Sequence, residues 1–454
     1  VQGALRTNES LILNRARFEP GDIYRRSDAR RTEELLSTLG VFSSVSVLLR
    51  DPEVPARQKT VLIVVRERES QYLEVRPGVS TGEGARLTLE YGHRNLGGEA
   101  IQFRLRSQLG FLPDALILES EVRRKYGELP ISRRLERRNT ASLEFPSIGL
   151  GPLFRLTVEG VDVRDNSRDY GITKDAAILT LSFRPQVELT AALRGSLELN
   201  NAEVFGQDEK NALQTYLRQH NSPLLQRLLN VPQGQTLAVA QRASVLWDER
   251  DNPFGATRGT LLSFSAEHVK AYSLEKDLDL TSHFMHYLMR VAGYVRLSQG
   301  GLAWATSLGL GYNQQLENDS QTYPDRFFFM GGADSLRGFL QASLVPEDIA
   351  QNILDVNNPL SINEVTIRGG DVSINPRTEL RIPLSATWQT AIFVDAGNLW
   401  LDARRVDPTV LRYAAGSGLR ATTPVGPLAL DYGINLDRRP WEDFGAFHFS
   451  IGLF

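Results

Sequence analysis

The sequence predicts an all-β transmembrane barrel of sixteen antiparallel strands over residues 70–454, preceded by a small α+β domain over residues 1–69. Three observations predict it. Segments of polar–apolar alternation recur from Gln71 to the last residue, most near the length that a tilted membrane strand needs. The connections between them sort alternately into short turns and long loops, the mark of a barrel with two unlike rims. The first 69 residues follow another pattern, with helical spacing ahead of two β-branched runs.

Composition narrows the alternatives. At 454 residues the chain exceeds one ordinary soluble domain, and a formal charge of -3 offers no basic footprint for nucleic acid. No apolar run of about eighteen residues occurs, so a transmembrane helix is excluded. A mean hydropathy of -0.25 suits a barrel, half of whose strand residues face water. Cysteine is absent, which excludes a disulfide scaffold and thiolate metal sites. The chain starts at Val1 with neither methionine nor signal peptide, as expected of a mature or truncated fragment.

In the first domain, Asn8 is placed to cap a helix over Glu9–Ala16, and Pro20-Gly21-Asp22 breaks the chain. Ser27 opens a second helix with Leu35, Leu36 and Leu39 on one side and Gly40 as its terminator. Val45–Leu49 and Thr60–Arg66 follow as strands. Helices over a small sheet leave one edge free to accept a strand from another chain. A compact domain with no partner is the plainer alternative.

Sixteen alternating segments come next: 71–80, 84–94, 98–111, 138–147, 152–164, 172–184, 187–200, 236–248, 258–270, 282–297, 301–315, 370–383, 387–398, 410–423, 426–436 and 444–454. Every second connection is short: 95–97, 149–151, 185–186, 249–257, 299–300, 385–386 and 424–425. The other set holds the long ones, 112–137, 201–235, 271–281 and 316–369. A soluble sandwich has no reason to sort its loops this way. The N-terminal domain falls on the short-turn side.

Polarity separates lumen from lipid. Arg377, Glu379 and Arg381 share one face of their strand, and Phe393, Asp395 and Gly397 share one face of the next. A charge on the lipid face costs about 2–4 kcal/mol at mid-bilayer, so these faces are lumenal. Just before them lies a long connection, roughly Gln315 to Gly369, which carries Phe327-Phe328-Phe329 and Gly331-Gly332-Ala333-Asp334-Ser335-Leu336-Arg337-Gly338-Phe339. If it folds inward, Arg337 reaches the carboxylates of Glu379 and Asp395, which suit its forked guanidinium. The alternative is an ordinary lumenal network in which those acids pair with Arg377, Arg381 or Arg420.

The Leu-Arg-Gly-Phe turn after Gly331-Gly332 resembles the loop motif of the BamA/TamA superfamily of outer-membrane assembly and translocation proteins, where valine is more usual before the arginine. Phe393–Trp400 resembles the strand motif that receives that arginine. Asp248–Pro253 with Thr257-Arg258-Gly259 resembles its recurrent periplasmic turn, and Gly416–Arg420 with Pro424–Leu428 its penultimate hairpin. Residues 1–69 resemble a polypeptide-transport-associated (POTRA) module, with Leu39-Gly40-Val41-Phe42 in its usual place. Gly3–Thr7 resembles the end of that module's first strand, so the strand itself and earlier modules are expected upstream. The resemblance implies a Gram-negative outer-membrane location with the POTRA module in the periplasm. It implies client outer-membrane or secreted proteins, a periplasmic or inner-membrane partner of the TamB type, no cofactor, and the TamA branch over the BamA branch.

The closing stretch Phe444–Phe454 resembles the sorting signal that ends such barrels, with Phe447, Phe449, Ile451 and Leu453 on one face and Phe454 out of step on the other. Its partner is the first strand, which contains Pro77 and Gly78. Proline removes a ladder donor and glycine offers nothing to pack, so a weak lateral seam is expected here. In the family such a seam is thought to open sideways for a client strand. A merely short, irregular first strand is the alternative.

Catalytic readings are poor. Gly78-Val79-Ser80-Thr81-Gly82 matches a G-x-S-x-G elbow by letters, but no helix follows the serine. His283 and His286 sit at a spacing that sends strand side chains to opposite faces, and no metal site is expected. The reading is a non-enzymatic insertase or translocase. A two-partner-type secretion pore is the alternative, and a passive porin a weaker one.

Overall fold

A computed structural model describes residues 1–253, 255–274, 282–355, 360–423 and 426–451. At the N-terminus, helices α1 (Glu9–Leu13) and α2 (Arg26–Ser37) cover a sheet of β1 (Phe42–Leu49) and β2 (Val61–Glu67). Leu11, Ile12, Ala29 and Leu36 pack on Val47, Ile63 and Val65 to make its core. Gln2 forms a parallel bridge beside Val64, so the chain before α1 lies along one side of β2. Among the described residues, β1 pairs only with β2, and on its unpaired edge the Val47 N–H donates to Glu33 of α2 at 2.7 Å.

Two helix ends depart from expectation. Asn8 holds the cap position of α1 but its side chain turns away to Glu99 and the Gly97 carbonyl, and α1 stops at Leu13 instead of Ala16. Helix α2 begins one residue before Ser27, whose hydroxyl meets Asp28. It ends at Ser37, and Gly40 adopts a left-handed φ of +75° beyond it.

Sixteen strands then close a barrel in chain order. The first eight are β3 (Gln71–Ser80), β4 (Gly84–Leu96), β5 (Ile101–Phe111), β6 (Glu136–Phe145), β7 (Phe154–Asn166), β8 (Tyr170–Phe183), β9 (Leu189–Val204) and β10 (Gly234–Asp248). The rest are β11 (Gly259–Ser273), β12 (Ser282–Arg296), β13 (Ala303–Gln315), β14 (Val372–Pro383), β15 (Trp388–Trp400), β16 (Arg412–Thr423), β17 (Gly426–Asn435) and β18 (Gly445–Ile451). The expected β6 and β7 slide apart because Pro146 and Pro152 lack the N–H that a ladder uses. The expected third strand loses its first three residues to a turn in which Gly97, Gly98 and Ala100 all have positive φ.

The alternation becomes an inside and an outside. Leu197, Leu199, Val239, Phe264, Val291, Ile392 and Val394 stand exposed on the outer wall. Ser196, Glu198, Asn200, Ala240, Glu267 and His286 lie buried between them on the inner wall. A water-facing cylinder would reverse this arrangement; a bilayer demands it.

The long-loop rim is capped. Helices α3 (Ser120–Gly127) and α4 (Ile131–Arg134) follow β5, α5 (Gln207–Gln219) and α6 (Pro223–Leu229) follow β9, and α7 (Glu347–Ile353) lies between β13 and β14. Leu213, Leu225, Tyr323, Ile349 and Ile367 form the cap's own apolar core. Three buried cations brace it from the side: Lys125 lies 3.0 Å from Glu121, Arg168 3.0 Å and Arg368 2.9 Å from the same carboxylate. Burial alone would raise the Glu121 carboxyl, but Arg168, Arg368 and Lys125 outweigh it and hold it at about 2.

Candidate functional site

The loop between β13 and β14 turns back into the barrel, and its glycines allow the turn. Gly331 and Gly332 have φ near +110° and +107°, and a Cβ on Gly331 would lie 2.3 Å from the Leu340 carbonyl oxygen. Leu336 and Phe339 are buried with Met330, Leu344 and Leu399. Gly397 leaves the space that the Met330 sulfur fills. These contacts aim Arg337 at the inner wall, where it is 1% exposed.

The guanidinium is bound on every edge. Arg337 Nε and Nη2 each donate to Asp395 at 2.7 Å, and Nη1 donates to Glu379 at 2.7 Å. The Arg337 backbone N–H donates to Asp395 at 3.2 Å, and the guanidinium carbon lies 3.4 Å from the centre of the Phe393 ring. Such forked, stacked geometry is specific to arginine. The alternative partners are present as well. Arg377 donates to Asp395 at 3.3 Å, Arg381 to Glu379 at 2.7 Å, and Arg420 to Glu379 at 2.6 Å. The two acids therefore serve four arginines, and the cluster is both a loop anchor and a lumenal network.

Gly338 lets the loop tip sit on β16 and β17, since a Cβ there would come 2.7 Å from that of Ala414 and 2.9 Å from the Ile434 oxygen. Gly433 does the same from the wall side. The acid Asp431 lies 3.9 Å from Arg337, and His448 approaches the Arg337 carbonyl at 3.1 Å. Sequence reasoning missed Asp431, Gly433 and His448. The alternation placed His448 in the lumen, between the outward Phe447 and Phe449, but nothing in it named a main-chain partner.

At the seam, Pro77 and Gly78 face Leu87 and Arg86 on the β4 side. Across the seam, among the described residues, only Ser80 faces Ser450 and Val79 faces Ile451. The Thr81 N–H adds one bond to the Phe449 oxygen at 2.9 Å, and Phe449 N–H one to the Thr81 hydroxyl at 3.2 Å. Phe447 stands exposed on the outer wall, while Phe449 and Ile451 are half-buried. Phe454 lies outside the described residues. Above these pairs a cavity of about 340 Å³ opens between the Thr81–Glu83 hairpin, Leu340–Ala342 of the inward loop, and Phe447–His448.

The candidate elbow serine, Ser80, ends β3 and leads into a hairpin, with no helix behind it. His283 meets His268 and Glu317, whereas His286 meets Asn313 on the other face. Among the described residues no three metal-ligating side chains converge.

Residues 117–454 match the Omp85 superfamily domain, and residues 1–68 match a POTRA-type repeat described as a surface antigen variable number repeat. The chain belongs to the Omp85 superfamily. It is 24% identical over 155 residues to the outer membrane protein assembly factor BamA of Neisseria meningitidis, covering 28% of this chain and 18% of that protein. It is 21% identical over 468 residues to the chloroplastic outer envelope protein 80 of Arabidopsis thaliana, covering 99% of this chain and 54% of that one. The chain thus spans from under a fifth to about half the length of these relatives. Among solved structures, BamA from Haemophilus ducreyi lacking POTRA domains 1–3 superposes with a TM-score of 0.69 at 16% identity, over 99% of this chain and 82% of that one. CdiB from Acinetobacter baumannii superposes with 0.58 at 13% identity, over 98% and 71%. This Omp85 protein is an outer-membrane β-barrel whose POTRA module lies on the periplasmic side. The short-turn rim is therefore periplasmic, and the capped rim outward.

Proposed function

We propose that this Omp85 protein inserts or translocates client polypeptides at the outer membrane by opening the β18–β3 seam. The observation that carries this is the contrast, among the described residues, between a seam with two facing residue pairs and neighbouring joints such as β9–β10, laddered from Ala202–Gly234 to Leu189–Trp247. A client strand would pair with the freed edges by β-augmentation. The unpaired edge of β1 in the POTRA module offers a second strand-addition site for a client or a partner of the TamB type, once Glu33 is displaced from the Val47 N–H. The TamA-like branch remains our preferred assignment on the motifs.

A two-partner-type secretion pore would instead pass its passenger through the lumen, and a passive porin needs a permanently open one. The cap packs its own apolar core over the long-loop rim and the inward loop reaches the inner wall through Arg337, which weighs against both in the resting state. The test is a disulfide across the seam. Ser80→Cys with Ser450→Cys face each other in the ladder, within reach of a bridge. In reconstituted vesicles, oxidation should abolish insertion of a client barrel, and reductant should restore it. Equal insertion by the oxidised and reduced forms would refute the reading.

A further inference from the structure

Arg337 grips the barrel at two ends. Its guanidinium holds β14 and β15 through Glu379 and Asp395, and its carbonyl oxygen, pointing the other way, lies 3.1 Å from Nε2 of His448 in β18. A carbonyl only accepts, so His448 is the donor and carries its proton on Nε2. The imidazole is buried, faces the lumen, and stands directly opposite Asp431 of β17. The contact is possible because Gly433 has no side chain: a Cβ there would lie 2.4 Å from the Arg337 oxygen and 2.7 Å from the Gly338 nitrogen.

The closing strand needs such a hold. Among the described residues, β18 meets β3 on its far edge at Ser450 and Ile451, with Thr81 adding to Phe449; on its near edge it pairs with β17 from Leu428 to Ile434. Among the described residues, His448 is the side chain of β18 that hydrogen-bonds to the inward loop. A hydrogen bond between buried groups restrains a strand more than the same bond in solvent.

We propose that His448 is a positioning residue: the strut through which the arginine clasp keeps β18 seated against β3, so that releasing the loop and loosening the seam are one coupled event. This rests on the seam being the functional opening, but its test needs no client and stands apart from any insertion assay.

The Ser80→Cys/Ser450→Cys pair reports seam closure on its own, because the chain has no native cysteine. In that background His448→Met fills the volume without a donor, and His448→Gln keeps an amide donor. Disulfide formation under a fixed oxidant is timed in the intact, detergent-solubilised protein, and chymotrypsin cleavage at Leu336 and Phe339 is followed in parallel. The expected result for His448→Met is cross-linking slowed about three- to tenfold, the worth of one hydrogen bond, with the loop as resistant as before. His448→Gln should recover most of the rate, and Arg337→Ala should lose both cross-linking and resistance. Parental cross-linking in His448→Met overturns the proposal. So does a His448→Gln variant that behaves like Met, or a Met variant whose loop is cut as fast as that of Arg337→Ala. Should His448→Met not assemble, His448→Ser, whose hydroxyl stops short of the carbonyl, takes its place with the same outcomes.

Discussion

The β9–β10 junction and the β18–β3 junction belong to the same barrel and are held in different ways. Strands β9 and β10 face each other without interruption from Ala202–Gly234 to Leu189–Trp247. Leu197, Leu199 and Val239 meet lipid there, while Ser196, Glu198 and Ala240 meet the lumen. Each cross-strand pair contributes roughly 0.2–1 kcal/mol, so this joint is stable by repetition. Among the described residues the seam has Ser450–Ser80 and Ile451–Val79, supplemented by Thr81. What the ladder lacks there, the lumen supplies: a buried arginine that touches β14, β15, β17 and β18. One joint is zipped and the other is latched.

Removing the latch should exaggerate the contrast most. Arg337→Ala leaves Asp395 and Glu379 short of one cation, and breaking a buried pair costs about 3–5 kcal/mol, an upper bound here because Arg377, Arg381 and Arg420 remain. Amide exchange in β18 should accelerate by up to about 100-fold while β9–β10 amides stay protected, and client insertion should fall with the barrel still in membranes. Equal acceleration in both joints would erase the distinction. A smaller effect is expected from Gly433→Val, which suits a strand but drives a Cβ into the Arg337 carbonyl. Displacing the tip at an overpacking cost of about 1–3 kcal/mol should raise trypsin cleavage of the loop roughly tenfold without altering β9–β10. Unchanged cleavage would mean that the tip does not bear on β17.

The smallest effect concerns acid. The Glu121 carboxyl titrates near 2 in the folded cap and at an ordinary 4.5 once freed. Its contribution is therefore complete above about 4.5 and lost as pH falls through 2. Amide protection in residues 112–135, corrected for the intrinsic exchange rate, should fall only below about pH 4.5, with the β9–β10 amides still protected. Protection that is already lost at pH 6 would show that Glu121 does not brace the cap.

The sequence displayed the barrel because membrane strands advertise themselves twice, through alternation and through loop sorting. Its errors came where one residue type overrode a pattern: Pro146 and Pro152 ended β6 and delayed β7, and Asn8 left its helix for Glu99. The acids that receive Arg337 were legible because parity alone places Glu379 and Asp395 inside. The His448 contact was not, since its acceptor is a backbone oxygen more than a hundred residues away. The bracing of the cap was equally hidden. Glu121, Arg168 and Arg368 come from three separate loops, with no period to connect them.

The mooring of the POTRA module has its own consequence. Arg15 donates to the carbonyls of Pro146 and Pro152, Arg31 to that of Pro185, and Arg155 reaches back to Thr38. All of these tie the module beneath the arc from β6 to β9, and Asn8 extends the tie to the β4–β5 turn. The periplasmic mouth is thereby a doorway with one leaf shut. On the proposed function, a client chain would reach the lumen beneath β10 to β18, the side whose far end is the latch.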